Sequence, residues 1–139
     1  MVYADSSALV KLVIEEPESG ALERHLADGQ VLATSRIALV EVPRATAIAN
    51  PTPEARGETE RLLASCMLID VTDALLRTAA GLASASIRTL DAIHLASALR
   101  IEADELLAYD RRLTAAGAER GLAVASPGKA ASGDTGAGV

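Results

Sequence analysis

Short apolar segments alternate with longer segments of helical periodicity along most of this chain. Five apolar segments, rich in Val, Leu, Ile and Ala, are separated by stretches in which apolar residues recur every three or four positions. Strands that alternate with helices favour a parallel sheet covered by helices on both faces. The pattern therefore predicts an α/β domain. The predicted strands cover residues 2–4, 31–33, 67–69, 105–108 and 122–125.

Residues with side-chain acceptors stand where several of the predicted helices begin. Asp5 and the two serines after it end the first strand and cap the first helix, and Thr34 and Ser35 are expected to cap the third helix. The first helix is expected to end near residues 15–17. The predicted helices cover residues 7 to about 16, 18–26, 37 to at least 45, 54–65, 74–83, 89–99 and 113–120.

Length and composition indicate one domain with an aliphatic core. Half of the 139 residues are hydrophobic, but Phe and Trp are absent and only two tyrosines are present, so Leu, Val, Ile and Ala must form the core. We assign residues 1–127 to the domain. Residues 128–139, rich in Gly, Ala and Ser, are expected to form a disordered tail.

Cysteine content and hydropathy indicate the cellular compartment of the protein. Cys66 is the single cysteine, so an internal disulfide is excluded, and its apolar neighbours favour a buried, inert thiol. No signal-peptide pattern opens the chain, and no uncharged segment approaches membrane-spanning length. We therefore expect a cytoplasmic protein.

The formal net charge of the chain is −6, which restricts how it can bind nucleic acid. Proteins that grip a long nucleic acid by its phosphates alone are usually basic, and those that stack on single strands use aromatic side chains. This chain is acidic and nearly lacks aromatics. A role on nucleic acid therefore requires a metal ion or a local basic patch.

Four carboxylates stand at positions that distinguish them from the other acidic residues of the chain. Asp5 and Asp110 each follow a predicted strand at its C-terminal end, where ligands bind in open α/β sheets. Glu41 and Asp91 lie on predicted helices between apolar neighbours. A helix cap or a solvated charge explains any one of them, and most readily Asp110. Together they suggest a single acidic site.

Oxygen ligands without cysteine or clustered histidine select Mg²⁺ or Mn²⁺ rather than zinc. The two histidines, His25 and His94, are far apart in the sequence. Two unit charges about 4 Å apart repel by roughly 4 kcal/mol at an effective dielectric near 20, and a divalent cation would relieve that repulsion. The chain has no Gly-rich phosphate loop before a lysine, no G-x-S-x-G and no G-x-G-x-x-G motif.

Each of these carboxylates stands in a longer segment of distinctive sequence. The segments are DSSALVKL (5–12), VEVPRA (40–45), TLDAIHLASA (89–98) and YDRRL (109–113). In this order they resemble the motifs of PIN-domain ribonucleases, and in particular those of the VapC-type toxins of bacterial VapBC toxin–antitoxin pairs. The resemblance covers about residues 1–127.

The resemblance implies a single PIN-like domain whose parallel five-stranded sheet has the order 3-2-1-4-5 and is flanked by helices. It also implies an endoribonuclease toxin that depends on Mg²⁺ or Mn²⁺ and cleaves RNA phosphodiester bonds by metal-activated water. By position, Asp5 and Asp91 would be the principal metal ligands, and Glu41 and Asp110 would complete the catalytic cluster directly or through water. The implied partners are RNA, a cognate VapB-type antitoxin lying in an apolar groove made by the early helices, and a second copy of the chain.

Several further residues are candidates for supporting roles near the cluster. Ser6 either caps the helix or holds the site by a hydrogen bond. His94, three residues after Asp91, falls on nearly the same helix face and is read as a packed, hydrogen-bonded histidine rather than a ligand. Basic side chains that could contact phosphate are Arg44, Arg88, Arg111 and Arg112.

Two other readings of the chain remain open at this point. One is a PIN-like domain with degraded catalysis that only binds a partner, because many such toxins have Thr or Ser where this chain has Ala108. The other is a phosphotransfer domain of the receiver or haloacid-dehalogenase type, which also places an aspartate after the first strand. The phosphatase pattern requires a second aspartate where Ser7 stands, and the receiver pattern requires an acidic pair that is absent here.

Overall fold

The computed structural model describes residues 1–82 and 86–130. Within these ranges five strands alternate with seven helices, as the periodicity predicts. The elements are β1 (Val2–Ala4), α1 (Ser6–Lys11), α2 (Ser19–His25), β2 (Leu32–Ser35), α3 (Ala38–Ala49), α4 (Pro53–Ser65), β3 (Met67–Ile69), α5 (Asp73–Ala80), α6 (Thr89–Arg100), β4 (Glu105–Leu107), α7 (Arg111–Glu119) and β5 (Val124–Ala125).

The strands form one parallel sheet with the order β3-β2-β1-β4-β5, which confirms the predicted fold. Receiver domains have the order 2-1-3-4-5, so the sheet argues against that reading. The order reverses between β1 and β4, where Ala4 pairs with Leu107. Ligands bind outside the carboxyl ends of the strands at such a reversal. Asp5 and the segment after Leu107 therefore meet at the expected binding edge.

Aliphatic side chains cover both faces of the sheet, and β1 contributes to each. Tyr3 is fully buried in the cluster formed with α5, α6 and α7, whereas Val2 and Ala4 belong to the cluster formed with α1 to α4. This division follows from the alternation of side chains along a strand. Because both faces are covered, β1 lies at the centre of the domain.

Seven consecutive residues of helix α6, residues 92–98, are buried. It packs on α5, α7 and β2, so both sides of the helix are enclosed. A helix that is enclosed in this way has little room for charge away from its ends. Asp91, in its first turn, stands at the border between the core and the cavity described below.

The first helix is shorter than predicted, since it ends at Lys11 rather than near residues 15–17. The apolar residues after Lys11 suggested further helical turns, but Ser19 interrupts them. Its hydroxyl donates to the carbonyls of Lys11 and Ile14, at 2.7 and 3.2 Å, and accepts from the amide of Glu16 at 2.9 Å. These contacts bind the free end of α1 to the start of α2.

The predicted cap of the third helix was also wrong, because Thr34 and Ser35 continue β2. Ser35 pairs with Ile69 of β3, and the next amide, that of Arg36, donates to the Ile69 carbonyl. Helix α3 starts after Ile37 without a side-chain cap. The other predicted strands and helices are present with their ends shifted by a few residues. The predicted end of the fifth helix, residue 83, lies outside the described residues.

The described part of the C-terminal segment contacts the domain. The Tyr109 hydroxyl donates to the Pro127 carbonyl at 2.8 Å, and Lys129 donates to the Tyr109 carbonyl. Residues 131–139 of the predicted tail lie outside the described residues, so its disorder stays a prediction. Within the described ranges, no helix has both the length and the apolar character that crossing a membrane would need.

Candidate active site

A cavity of about 320 Å³ opens at the edge of the sheet where β1 and β4 end. All four carboxylates of the predicted cluster line it, although they come from four separate elements or their caps. Its walls are formed by Asp5, Ser6, Ser7, Glu41, Arg88, Asp91, His94, Tyr109 and Asp110.

Asp5 is the most buried of the four carboxylates, with 4% of the residue exposed. It follows β1 and caps α1: one carboxylate oxygen accepts from the amide of Ala8 at 3.0 Å and from the Ser7 hydroxyl at 2.7 Å. Burial raises the pKa of Asp5, and these hydrogen bonds and His94 only partly oppose it. The charged form of Asp5 is therefore destabilised until a cation compensates it.

Glu41 projects from α3 toward α6 and is held through one of its oxygens. Its Oε1 accepts from the Ser6 hydroxyl at 2.6 Å and lies 2.8 Å from Nε2 of His94. Burial alone would raise the pKa of Glu41, but the contacts with His94 and Ser6 outweigh it and keep the pKa below its usual value. Glu41 is therefore ionised at neutral pH.

Asp91 lies in the first turn of α6, where the positive end of the helix dipole favours a carboxylate. The pKa of Asp91 is raised, first by burial and then by the nearby charge of Asp110. The charge of Asp91 in turn contributes to the raised pKa of Asp5. These mutual effects show that carboxylates distant in sequence are close enough here to repel each other.

Asp110 is the most exposed of the four and caps α7. Its side chain accepts from the amides of Arg112 and Leu113, at 2.8 and 3.3 Å, and its second oxygen contacts the Arg112 guanidinium at 3.3 Å. Burial raises the pKa of Asp110, but the hydrogen bonds from Arg112 and Leu113 and the Arg112 charge together outweigh it and keep the pKa below its usual value. Asp110 thus lines the cavity while it also serves as a helix cap.

The donor chemistry of this cavity fits a hard divalent cation, because its ligands would be carboxylate oxygens and no cysteine lines it. Among the described residues, however, no three such side chains are placed to hold one ion as they stand. Glu41 is drawn toward His94, and Asp110 toward Arg112. Holding an ion would therefore require side-chain movement without a change of fold.

The basic residues singled out from the sequence have different positions. Arg88 lines the acidic cavity, and Arg111 and Arg112 line a neighbouring hollow beside α7. Arg44 lies elsewhere, in a hollow between α3 and α4. Three of the four predicted phosphate contacts therefore lie on or next to the acidic cavity.

His94 is buried and hydrogen-bonded, as the sequence indicated, but its partners were not foreseen. Its Nδ1 lies 2.7 Å from the Tyr3 hydroxyl, and its Nε2 lies 3.3 Å from the Ser6 hydroxyl in addition to the contact with Glu41. Sequence reasoning missed Tyr3 because an aromatic residue inside a buried strand is typical of core. It also missed Tyr109, which lines the cavity.

The sequence profile of the PIN domain matches residues 2–119. The chain is 42% identical to the ribonuclease VapC46 of Mycobacterium tuberculosis, over 91% of this chain and 97% of that protein. Two solved structures have similar folds. The Mycobacterium tuberculosis toxin VapC20, described as cleaving the sarcin-ricin loop, has a TM-score of 0.69 at 21% identity and covers 84% of this chain and 95% of its own.

The second is a toxin–antitoxin complex from Klebsiella pneumoniae, with a TM-score of 0.70 at 20% identity and coverage of 91% of this chain and 98% of the other. These two structures support the fold, and the 42% identity to a curated relative over nearly its whole length supports the family. The match also favours a nuclease over the phosphotransfer domains considered from the sequence. The chain belongs to the PIN domain family and, within it, to the VapC type.

Proposed function

We propose that the protein is a metal-dependent endoribonuclease that acts as the toxin of a toxin–antitoxin pair in the cytoplasm. The observation that carries the proposal is the meeting of Asp5, Glu41, Asp91 and Asp110 at one cavity on the binding edge of the sheet. The Mycobacterium tuberculosis relative VapC46 is named a ribonuclease, which supports the same activity here.

Asp5 and Asp91 are the side chains that we expect to hold Mg²⁺ or Mn²⁺, with Glu41 and Asp110 completing the cluster. A bound divalent cation supplies Lewis acidity toward the phosphodiester and compensates the repulsion among the carboxylates. Asp5 and Asp91 are suited to this role because their carboxylates are strained by burial and by neighbouring charge. Glu41, ionised and fixed through one oxygen, is suited to orient an attacking water.

The cations around the cavity are suited to hold the RNA backbone. Arg88 is part of the cavity wall, and Arg111 and Arg112 line the adjacent hollow. A local basic patch of this kind is what an acidic protein needs in order to bind phosphate. The substrate strand would then lie across the mouth of the cavity toward α7.

Cleavage of RNA by the purified protein tests the proposal. We expect cleavage of total RNA in Mg²⁺ or Mn²⁺, none in excess EDTA, and none with Asp5→Asn or Asp91→Asn. Asp28→Asn, a change at an exposed site far from the cavity in sequence, is the matched control and should cleave normally. Full activity of Asp5→Asn, or of the wild type in EDTA, would contradict the proposal.

We also propose that the chain binds a VapB-type antitoxin and forms a homodimer. Helix α3, next to the acidic cavity, exposes the apolar side chains of Leu39, Val40 and Ile48, at 43%, 61% and 79%. Exposed apolar residues grouped on one element are typical of an interaction surface. The Klebsiella pneumoniae relative was solved as a toxin–antitoxin complex, which supports such a partner.

Coexpression with a candidate VapB-type antitoxin tests this partner. Val40→Asp and Ile48→Asp should reduce copurification of the antitoxin. Leu76→Asp, which changes an exposed leucine on α5, should leave it unchanged. Equal copurification of all three variants would place the antitoxin elsewhere. Light scattering of the chain alone reports the homodimer.

A PIN-like domain that binds a partner without catalysis is the alternative. Two observations favour it: among the described residues no three side chains of the cavity are placed to hold one ion as they stand, and Ala108 is buried in the core where many relatives of this type would carry a hydroxyl. Ser6, however, supplies a hydroxyl to the site. Metal-dependent cleavage by the pure protein would exclude the alternative, and its absence alongside antitoxin binding would support it.

A further inference from the structure

We propose that His94 is a positioning residue that holds the Glu41 side chain at the acidic cavity, and that Tyr3 fixes the ring of His94. The inference deepens the proposed ribonuclease function and rests on it. It gives Tyr3 of strand β1 and His94 of helix α6 a structural role in the site.

The contacts of Glu41 come from two parts of the chain that lie far apart in sequence. Ser6, at the start of α1, donates to Oε1 at 2.6 Å, and His94 of α6 approaches the same oxygen at 2.8 Å. Among the described residues, no hydrogen bond to the other oxygen, Oε2, is found. One carboxylate oxygen is therefore fixed, and the second is left for the cavity.

The hydrogen-bonding requirements of these groups place a proton on Nε2 of His94. A carboxylate oxygen accepts hydrogen bonds, and the single proton of the Ser6 hydroxyl is already directed to Oε1 of Glu41. The proton between His94 and Glu41 must therefore belong to Nε2. Burial raises the pKa of the Tyr3 hydroxyl, so Tyr3 keeps its proton, and this hydroxyl lies 2.7 Å from Nδ1 of His94.

The ring of His94 is held from several sides. Its residue is 2% exposed, and Tyr3 is fully buried. The two rings meet edge to face, with centroids 5.8 Å apart and planes inclined by 71°. A histidine whose two nitrogens both have partners cannot rotate without breaking a hydrogen bond. Tyr3, fixed in β1, therefore holds the ring of His94, and His94 in turn restricts the Glu41 side chain.

Packing alone does not account for this arrangement. The two residues on either side of His94 along α6 are aliphatic, and a leucine at position 94 would fill the same space without any need for hydrogen bonds. Instead, three polar side chains, those of Tyr3, His94 and Ser6, converge on Glu41 or on one another across as many as 91 positions of sequence. Residues that orient a ligand or catalytic group in this way commonly affect its affinity or activity by roughly 10- to 100-fold.

A series of variants separates positioning from packing. We expect His94→Leu to weaken Mn²⁺ binding, measured by calorimetry, and RNA cleavage by about 10-fold or more. His94→Gln retains an amide donor near the position of Nε2 and should recover most of the loss. Tyr3→Phe, which removes only the hydroxyl, should have a smaller effect in the same direction. Thermal unfolding of each variant in EDTA checks that the fold is retained. Equal losses in His94→Leu and His94→Gln would overturn the proposal.

A double-mutant cycle tests whether His94 acts through Glu41. If it does, His94→Leu should cause no further loss of Mn²⁺ affinity in a Glu41→Ala background, whereas independent effects would multiply. Multiplied losses would leave His94 as an ordinary structural residue and overturn the proposal.

A spectroscopic measurement on the metal-free protein keeps the inference separate from the proposed function. Nitrogen-15 spectra of the histidine rings should show a proton on Nε2 of His94, and an unprotonated Nε2 would overturn the inference. A wild type that neither binds Mn²⁺ nor cleaves RNA would instead contradict the proposed function. The ring-proton result does not depend on metal or RNA.

Discussion

The two sides of the acidic cavity are built in different ways. On one side, Asp5 caps α1 locally, but it is buried and its amide donates to the Leu107 carbonyl of the neighbouring strand. The side-chain contacts of Glu41 on this side come from residues 35 and 53 positions away. On the other side, Asp110 is partly exposed, and its partners are two and three positions away on its own helix. Long-range contacts depend on the whole fold, whereas a helix cap forms locally. We infer that the first side is preorganised and that the second adjusts to its ligands.

The largest expected difference between the two sides is in catalysis. Asp5→Asn should reduce RNA cleavage by on the order of 100-fold or more, because it removes charge from the principal cation ligand. Asp110→Asn, on the adjustable side, should reduce cleavage by about 10-fold. Initial rates on one RNA at saturating Mn²⁺ measure both. Equal losses would remove the distinction between the two sides.

In the metal-free protein, substitutions on the two sides of the cavity should change the free energy of unfolding in opposite directions. Asp5→Asn removes a buried charge whose amide replacement can still accept from Ser7 and Ala8, so in EDTA we expect a gain of roughly 0.5–2 kcal/mol in the free energy of unfolding. Asp110→Ala removes a helix cap and should cost about 1 kcal/mol.

Denaturant unfolding in EDTA checks both signs. Asp110→Asn is the matched control, since asparagine caps a helix about as well as aspartate and should leave stability nearly unchanged. A loss of stability in Asp5→Asn would show that Asp5 is not strained in the metal-free protein.

The difference in the free energy of unfolding between Asp5→Asn and the wild type should depend on pH. Because burial raises the pKa of Asp5 in the folded state, its ionisation destabilises the fold above that pKa, and this cost disappears below the unfolded-state pKa. The advantage of Asp5→Asn over the wild type in EDTA should therefore be full above the folded-state pKa of Asp5 and shrink as the pH falls from there toward about 4. A difference that is constant between these limits would contradict the raised pKa.

The smallest expected effect concerns the pair of Asp110 and Arg112. Both side chains are largely or partly exposed to water, so Arg112→Ala should change the free energy of unfolding by less than about 1 kcal/mol. Because the Arg112 guanidinium contributes to the low pKa of Asp110, that pKa should rise toward its ordinary value in the variant. Urea unfolding and carbon-13 titration of the Asp110 carboxyl measure the two effects. A larger loss of stability would make this side of the cavity less adjustable than we infer.

Most of the fold could be predicted from residue patterns, but some ends of elements could not. The alternation of strands and helices follows from local periodicity, and the sheet order followed from the motif resemblance. The end of α1 depends instead on Ser19, whose hydroxyl binds backbone carbonyls that precede it by five and eight positions. A contact of this kind has no local signature.

The candidate site shows the same limit. Glu41 and Asp91 stand out because charge is unusual between apolar neighbours, and Asp5 and Asp110 because each follows a predicted strand. The structure places all four at one cavity. The roles of Tyr3 and His94 could not be predicted, because a tyrosine in a strand and a histidine in a helix both resemble core. Arg44, three positions after Glu41 on α3, instead lines the hollow between α3 and α4.

Thermal unfolding with and without Mn²⁺ tests the central claim most directly, namely that the four carboxylates of the cavity form one cation site. At a free Mn²⁺ concentration ten times its Kd, the wild type should gain about 1.4 kcal/mol of stability. Asp5→Asn and Asp91→Asn should lose this gain, whereas Asp28→Asn should keep it. No stabilisation of the wild type at millimolar Mn²⁺, or equal stabilisation of all the variants, would contradict the claim.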